Sequence, residues 1–389
     1  MNKIVFFKSV FTIIFFINTL SISGQQIPKV YTNLSYAQDG NLQLLINGKK
    51  LRVFKPKKLP GNIIYGSVIF GMKDGLRINF NDTAFSGQIA YGFIKYNDSR
   101  YPMPVYFKRT ATIKNGVADI NIRGLSGKYD MINWESNGMG TIGYRVISEN
   151  GQLLFDDYCG FSYDGKRFDI IPVISEGPFI NQLTDTGCVI SFKTTMPVDA
   201  SIKVNGKTIK EKKPAINHEI LIDGLKPATQ YDYTVFYGNL SQSYHFETAL
   251  PKGSYQPFTF AYLSDSRGGQ GGGERNFYGP NAYIVKKAMA LATQEKVKFM
   301  QFTGDLITGY GLSAADMNLQ YHNWKQTVSP FAHYLPVITG MGNHEAYNFA
   351  FYPDSAYYPI AIDHFPFDKA SSESIFSHNF VNPENGPDS

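Results

Sequence analysis

Three apolar runs that each end in a polar tip constrain this chain more than any other feature. The runs are Phe258 to Leu263, Phe299 to Phe302 and Pro336 to Ile338; the tips read Ser264-Asp265-Ser266-Arg267, Gly304-Asp305-Leu306 and Gly342-Asn343-His344-Glu345. Short apolar runs with helical patterning between them read as buried parallel strands joined by crossover helices. That topology brings the three tips to one edge of one sheet, beyond the carboxyl ends of its strands, where open α/β sheets place their ligands.

The patterning between the runs is specific. Pro280 opens a segment in which Ile284, Ala288 and Leu291 share one face, with Val285 and Ala292 alongside. Ser313 with Asp316 three residues on has the form of a capping box, and Met317, Tyr321, Trp324 and Val328 then lie on one stripe, which reads as core. The glycine-rich loop 268–273 can approach a ligand closely, but no Gly-Lys-Ser/Thr follows it, so it is not a Walker-type phosphate loop.

At the tips, Asp265 and Asp305 offer carboxylate oxygens, Asn343 an amide oxygen and His344 a borderline nitrogen. This mixture suits Mn, Fe, Zn or Mg better than a metal that prefers thiolate. Two such ions a few ångströms apart can clamp a phosphate and generate hydroxide near neutral pH. A single Asp at a turn is as readily a cap, so the weight rests on the set and not on any one member.

The order Asp-x-x, Gly-Asp, Gly-Asn-His-Glu resembles the calcineurin-like metallophosphoesterases, and within them the purple acid phosphatases and their relatives, over the chain from about Gly177 onward. The resemblance implies two divalent or trivalent ions (Fe, Zn or Mn), with Asp305 bridging them, Asp265 on the first and Asn343 on the second. It places His344 beside the phosphate, to stabilise developing charge or protonate the leaving oxygen, and Glu345 as the partner that orients His344. The implied substrate is a phosphate ester, a monoester before a diester.

The chain also departs from the family pattern. Where most members have Asp-x-His, Arg267 stands in the histidine's place, and an arginine cannot give up its proton to bind a metal. It reads either as a bidentate clamp on the substrate phosphate or as a plain salt bridge. Thr308 stands where purple acid phosphatases carry a tyrosine ligand; Tyr310, two residues on, reads as a substitute or, more plainly, as a surface-loop residue. The family's later histidine motifs do not follow Glu345, and His364 and His378 stand alone at positions read as loops. Only the N-terminal part of the catalytic domain is therefore expected.

With 389 residues there is room for two or three domains. Met1 to Gly24 has a basic start, an apolar centre and small residues at its end, the pattern of a secretory signal peptide; no later run is apolar enough to span a membrane. From Gln25 to about Asp169 the signals are all β. Asn-Gly pairs at 47–48, 115–116 and 150–151 each promise a tight hairpin turn with two positive-φ positions, and the aromatics around Tyr91 and Phe93 read as core. Residues 170–250 form a second β unit, with Asn205-Gly206 as another hairpin. Its stretch Leu225 to Tyr233 resembles the tyrosine corner of fibronectin type III-like sandwiches.

The fold expectation is thus multidomain: two all-β sandwich domains, 25–169 and 170–250, followed by an incomplete α/β metallophosphoesterase domain over 251–389. The net charge of +5 includes Lys3 and Lys8 of the leader, Lys55, Lys57 and Lys58 read as a solvated turn, and no basic block speaks for a nucleic-acid partner. Cys159 and Cys188 allow one disulfide at most; Cys188, in an apolar strand pattern, reads as a buried free thiol. The functional expectation is a secreted or periplasmic phosphoesterase. The rival readings are an exported β-rich binding or adhesion protein whose phosphoesterase-like part has lost its metals, and an interaction scaffold made of the two β modules.

Overall fold

A computed structural model describes residues 60–96, 99–106, 109–310, 314–350 and 372–383, with short strands at 34–36, 42–46, 49–51 and 360–363. The leader, the turn at 47–48, the lysines at 55, 57 and 58, Ser313 and His364 lie outside the described residues. The described part is β-rich and built from several sheets.

In the first unit, strands Val68–Gly71, Gly75–Asn79 and Val117–Asn121 form one antiparallel sheet. A second holds five antiparallel strands in the order Phe168–Ile171, Leu153–Tyr163, Met139–Ser148, Gly87–Phe93, Thr110–Ile113. Period-2 alternation turns Leu76, Ile78, Ile89, Tyr91, Tyr144 and Phe161 into one shared core, against which Trp134 packs.

The Asn-Gly pairs behave differently from one another. Asn115 and Gly116 both have positive φ, 52° and 73°, and Lys114 and Val117 exchange backbone hydrogen bonds across them. Yet the flanking strands part: Thr110–Ile113 pairs with Gly87–Phe93, and Val117–Asn121 with Gly75–Asn79. The expected hairpin is a corner between sheets, because a turn sets the local reversal while the strand partner is chosen by the face each strand must bury. At 150–151 only Gly151 has positive φ, 84°, and the hairpin closes through a wider loop with the Ser148 N–H donating to the Gln152 carbonyl at 2.9 Å. Asn205-Gly206 is the two-residue turn expected, joining Ala200–Val204 to Lys207–Lys210.

The second unit faces a three-stranded sheet (Ile174–Asn181, Cys188–Val198, Ala215–Ile222) with a four-stranded one (Lys207–Lys210, Ala200–Val204, Gln230–Tyr237, Leu240–Glu247). The Lys226 N–H donates to the Tyr231 hydroxyl at 2.9 Å, the bond a tyrosine corner makes. Cys159 and Cys188 are both buried and free, and burial pushes each thiol up to about 12.

Strands Ala261–Leu263, Met300–Phe302 and Val337–Thr339 are parallel and adjacent in chain order, with Ala261 beside Met300 and Met300 beside Val337. The helices Ala282–Gln294 and Ala314–Ala332 connect them. Both pack on the face that carries Leu263, Met300 and Phe302, where Met317, Tyr321, Trp324 and Val328 of the long helix complete the core.

The shorter helix corrects the sequence reading. Ile284 and Leu291 are 47% and 58% exposed, and the buried stripe is Ala282, Val285, Met289 and Ala292. The helix begins at Ala282, two residues after the Pro280 expected to open it, and Asn281 caps it, its side chain accepting from the Ile284 N–H at 3.2 Å; the stripe that meets the sheet is phased one position later than the apolar residues alone indicated. His378 lies on the helix Ser372–Asn379, not in a loop.

The long helix is buried on its polar side as well. His322 Nδ1 lies 2.7 Å from Glu176 Oε1 and its Nε2 2.9 Å from the Asp156 carbonyl, while the Asn323 amide donates to the Leu154 carbonyl at 2.8 Å. Lys325 pairs with Glu176. One helix thereby keys the parallel sheet to both β units through buried hydrogen bonds that must be satisfied once formed. Among the described residues no helix is long and apolar enough to cross a membrane.

Candidate functional site at the strand tips

The first two tips turn sharply. Asp265 and Asp305 both adopt left-handed backbone, φ 54° and 51°, a region in which Asp is tolerated and which re-aims a side chain at the end of a strand. The Asp265 N–H donates to the Gly304 carbonyl at 3.2 Å and the Arg267 N–H to the Asp305 carbonyl at 3.0 Å, so the two tips lie side by side. Asp265 is exposed and Asp305 buried.

The third tip closes on the second. A Cβ on Gly304 would stand 2.3 Å from the Gly342 nitrogen, and one on Gly342 would stand 2.3 Å from Asp305 Oδ1. Only glycine at both positions allows this approach. The Asp305 carboxylate then receives the His344 backbone N–H at 3.2 Å on Oδ1. Its Oδ2 faces Arg267 Nε at 3.6 Å and His344 Nε2 at 3.7 Å.

Glu345 does something other than the resemblance implied. It is fully buried, and its carboxylate accepts the N–H groups of Asp305 (2.7 Å), Gly342 (2.8 Å) and Ile307 (3.2 Å). It ties the backbones of two tips together and makes no bond to the His344 ring. Burial pushes its carboxyl up, against the pull of the three donors. The His344 ring is oriented instead by the Thr308 carbonyl, 2.6 Å from Nδ1.

Tyr310 is the residue the sequence reading undervalued. It is half-buried, not a free surface residue; its ring centroid lies 4.2 Å from that of His344 and its hydroxyl accepts from the Asn343 amide at 2.5 Å. With the nitrogen of Asn343 held this way, the amide oxygen is the end that can meet a cation. An aromatic residue five positions after Asp305 in a glycine-containing loop was the available signal. Behind the tips, the Trp324 indole donates to Ser266 Oγ at 2.9 Å, and Ser266 donates to the Leu306 carbonyl at 3.0 Å. The floor of the site is therefore held by the core helix.

Asp305, Arg267, His344 and Asn343 thus form one neighbourhood, and Asp265 adjoins it through its backbone. Among the described residues, no three His, Cys, Asp or Glu side chains gather as a metal-holding group. The donors fit one side of an oxygen-preferring cation and do not complete the shell of two. The guanidinium of Arg267 already meets the carboxylate that a first ion would use.

No family model and no curated protein matches the chain. Among solved structures it is similar to one described as PhoD, with 17% identity over 51% of this chain and 42% of that one and a TM-score of 0.36. It is also similar to purple acid phosphatase PPD1 from yellow lupin (Lupinus luteus) seeds, with 14% identity over 82% of this chain and 60% of that one and a TM-score of 0.41. The central fibronectin-III array of RIM-binding protein is 16% identical over 58% of this chain and 74% of that array, with a TM-score of 0.21. The chain spans 42% of the PhoD structure and 60% of the lupin phosphatase.

Proposed function

We propose that the protein is an exported, metal-dependent phosphoesterase acting on phosphate esters, monoesters before diesters, and that Asp265, Asp305 and Asn343 are its metal-facing donors. The observation that carries the reading is the packing of the Gly342 tip onto Asp305, which sets a carboxylate, an imidazole, a guanidinium and an amide at one edge of a parallel sheet. A metal ion held there would draw charge from the phosphoryl oxygens and supply an activated water.

The remaining roles fall to the chain's own groups. Arg267, with its side chain partly exposed, exchanges its contact with Asp305 for a two-pronged hold on the phosphate. The His344 Nδ1–H donates to the Thr308 carbonyl, which leaves Nε2 as the atom that carries the second proton of the imidazolium. Nε2, 3.7 Å from Asp305 Oδ2, is the ring atom placed to deliver a proton to the departing oxygen.

Hydrolysis of p-nitrophenyl phosphate and bis(p-nitrophenyl) phosphate, measured with Fe, Zn and Mn in turn, tests the proposal. Asp305→Asn and Asn343→Ala should each lower kcat/KM by roughly a hundredfold or more and reduce bound metal while circular dichroism is unchanged. Turnover unaffected by both changes removes the assignment.

One observation favours a second reading. The Arg267–Asp305 ion pair is what a site that has exchanged metal for an internal cation would contain. A non-catalytic binding protein of this kind would hold no metal at all and bind phosphate esters, if at all, without cleaving them.

A further inference from the structure

Four Asn-Gly pairs lie among the described residues, at 115–116, 137–138, 150–151 and 205–206. This dipeptide carries a reaction of its own. The glycine nitrogen, with no Cβ beside it to hinder approach, can attack the asparagine side-chain carbonyl carbon and close a five-membered imide. The glycine N–H gives up its proton, the Cγ–Nδ2 bond breaks and ammonia leaves. Water then opens the ring at one carbonyl or the other, giving aspartate or isoaspartate, with no oxidant or reductant involved. The attack requires a glycine nitrogen free of any acceptor and a backbone free to turn.

Three of the four pairs are locked. The Gly116 N–H donates to the Phe85 carbonyl at 3.0 Å, the Gly138 N–H to the Trp134 carbonyl at 2.8 Å and the Gly151 N–H to the Ser148 carbonyl at 2.9 Å. Their surroundings hold them as well. A Cβ on Gly116 would stand 2.2 Å from the Asp82 carbonyl oxygen, and the Trp134 side chain that anchors the second pair is buried in the core. In the third, Asn150 Oδ1 accepts from the Ser148 hydroxyl and from the Gln152 N–H.

The fourth pair has none of these restraints. Asn205 and Gly206 are both exposed, and neither the Gly206 N–H nor the Asn205 side chain meets a hydrogen-bond partner among the described residues. A Cβ on Gly206 would find nothing within 4 Å. The strand that follows, Lys207–Lys210, is the outermost of its sheet, and of its residues only Ile209 packs against the core. Opening this turn therefore disturbs few contacts.

We propose that Asn205 is a site of spontaneous modification, which converts to aspartate or isoaspartate in the folded protein while the asparagines at 115, 137 and 150 persist. The aspartate product adds a negative charge and leaves the turn its length. The isoaspartate product carries the chain through the side-chain carboxyl and so adds one carbon to the backbone. A two-residue turn whose φ angles, 48° and 75°, suit the unmodified length has no room for it. The pairing of Ala200–Val204 with Lys207–Lys210 is what that product disturbs.

The full chain is held at mildly alkaline pH and sampled over time, and peptic mapping by mass spectrometry, done in acid to halt the reaction, follows each pair. The readouts are the mass gain from amide to acid and the separate elution of isoaspartyl peptides. In the folded protein Asn205 should convert roughly tenfold or more faster than the other three, the factor that opening one protecting bond of about 1.4 kcal/mol contributes. In urea those bonds are gone, and the four rates should fall within a few-fold of one another, since glycine follows each asparagine. No conversion at Asn205 in the folded chain, an equal rate at another of the four pairs, or an order that urea leaves unchanged would each overturn the proposal.

Discussion

The carboxylate of Glu345 accepts the backbone N–H of Asp305 at 2.7 Å, and through this bond the third strand tip fixes the second. Because the same carboxylate also takes the N–H groups of Gly342 and Ile307, three donors depend on one buried side chain.

Glu345→Gln keeps the size but sets an NH2 group against backbone donors. Leaving one or two of them unsatisfied should cost about 1–3 kcal/mol. A urea titration should show a lower midpoint with unchanged slope. An unchanged midpoint would mean that the three bonds do not hold the tips together.

Arg267→Ala separates two roles for that residue. If the guanidinium holds the substrate phosphate, KM for a phosphomonoester should rise about tenfold with kcat little changed. If it serves only as the partner of Asp305, kcat should change and KM should not. Steady-state kinetics at fixed metal concentration decides between them.

Lys325→Met should be among the more damaging single changes. Lys325 and Glu176 are both buried, and burial lowers the amine's pKa while the pairing opposes that. Burial alone would raise the Glu176 carboxyl, but Lys325 and His322 hold it well below the usual range. Removing one partner of such a pair costs roughly 3–5 kcal/mol, whereas removing both often costs far less. Thermal melts of Lys325→Met and of the double variant with Glu176→Gln should show a large loss in the first and substantial recovery in the second. Equal losses would show that the pair is not coupled.

His333 predicts part of the acid sensitivity. Buried against Tyr244, with Nδ1 2.9 Å from the Pro178 carbonyl, its imidazole is pulled down to about 4 by burial. The folded pKa lies below the unfolded one, so the unfolded chain takes up the proton first as pH falls. Stability should decline from about pH 6.5 and stop declining on this account near 4, a loss of about 3 kcal/mol for a shift of this size. Asp157, raised by burial to about 6, works in the opposite direction over part of that range. The test is therefore the difference between wild type and His333→Phe in urea midpoints at pH 7 and pH 4.5. Parallel losses in the two proteins would exclude His333 as the source.

What the sequence alone determined was local or periodic. The three strand tips, the buried stripe Met317, Tyr321, Trp324 and Val328, and the turn at Asn205-Gly206 follow from side-chain spacing and from φ preferences that act within a few residues. Tertiary structure decided everything that required knowing what lies across a gap. It parted the strands around Asn115-Gly116 into two sheets, moved the buried face of the helix Ala282–Gln294 off Ile284 and Leu291, assigned Glu345 to backbone donors and not to His344, and set Arg267 on Asp305 and Tyr310 on Asn343. The reason is one of range. A pattern in the chain states which groups need a partner, but hydrogen bonds and ion pairs form with whichever group the packed chain brings within about 3–4 Å, and that group is often distant in sequence.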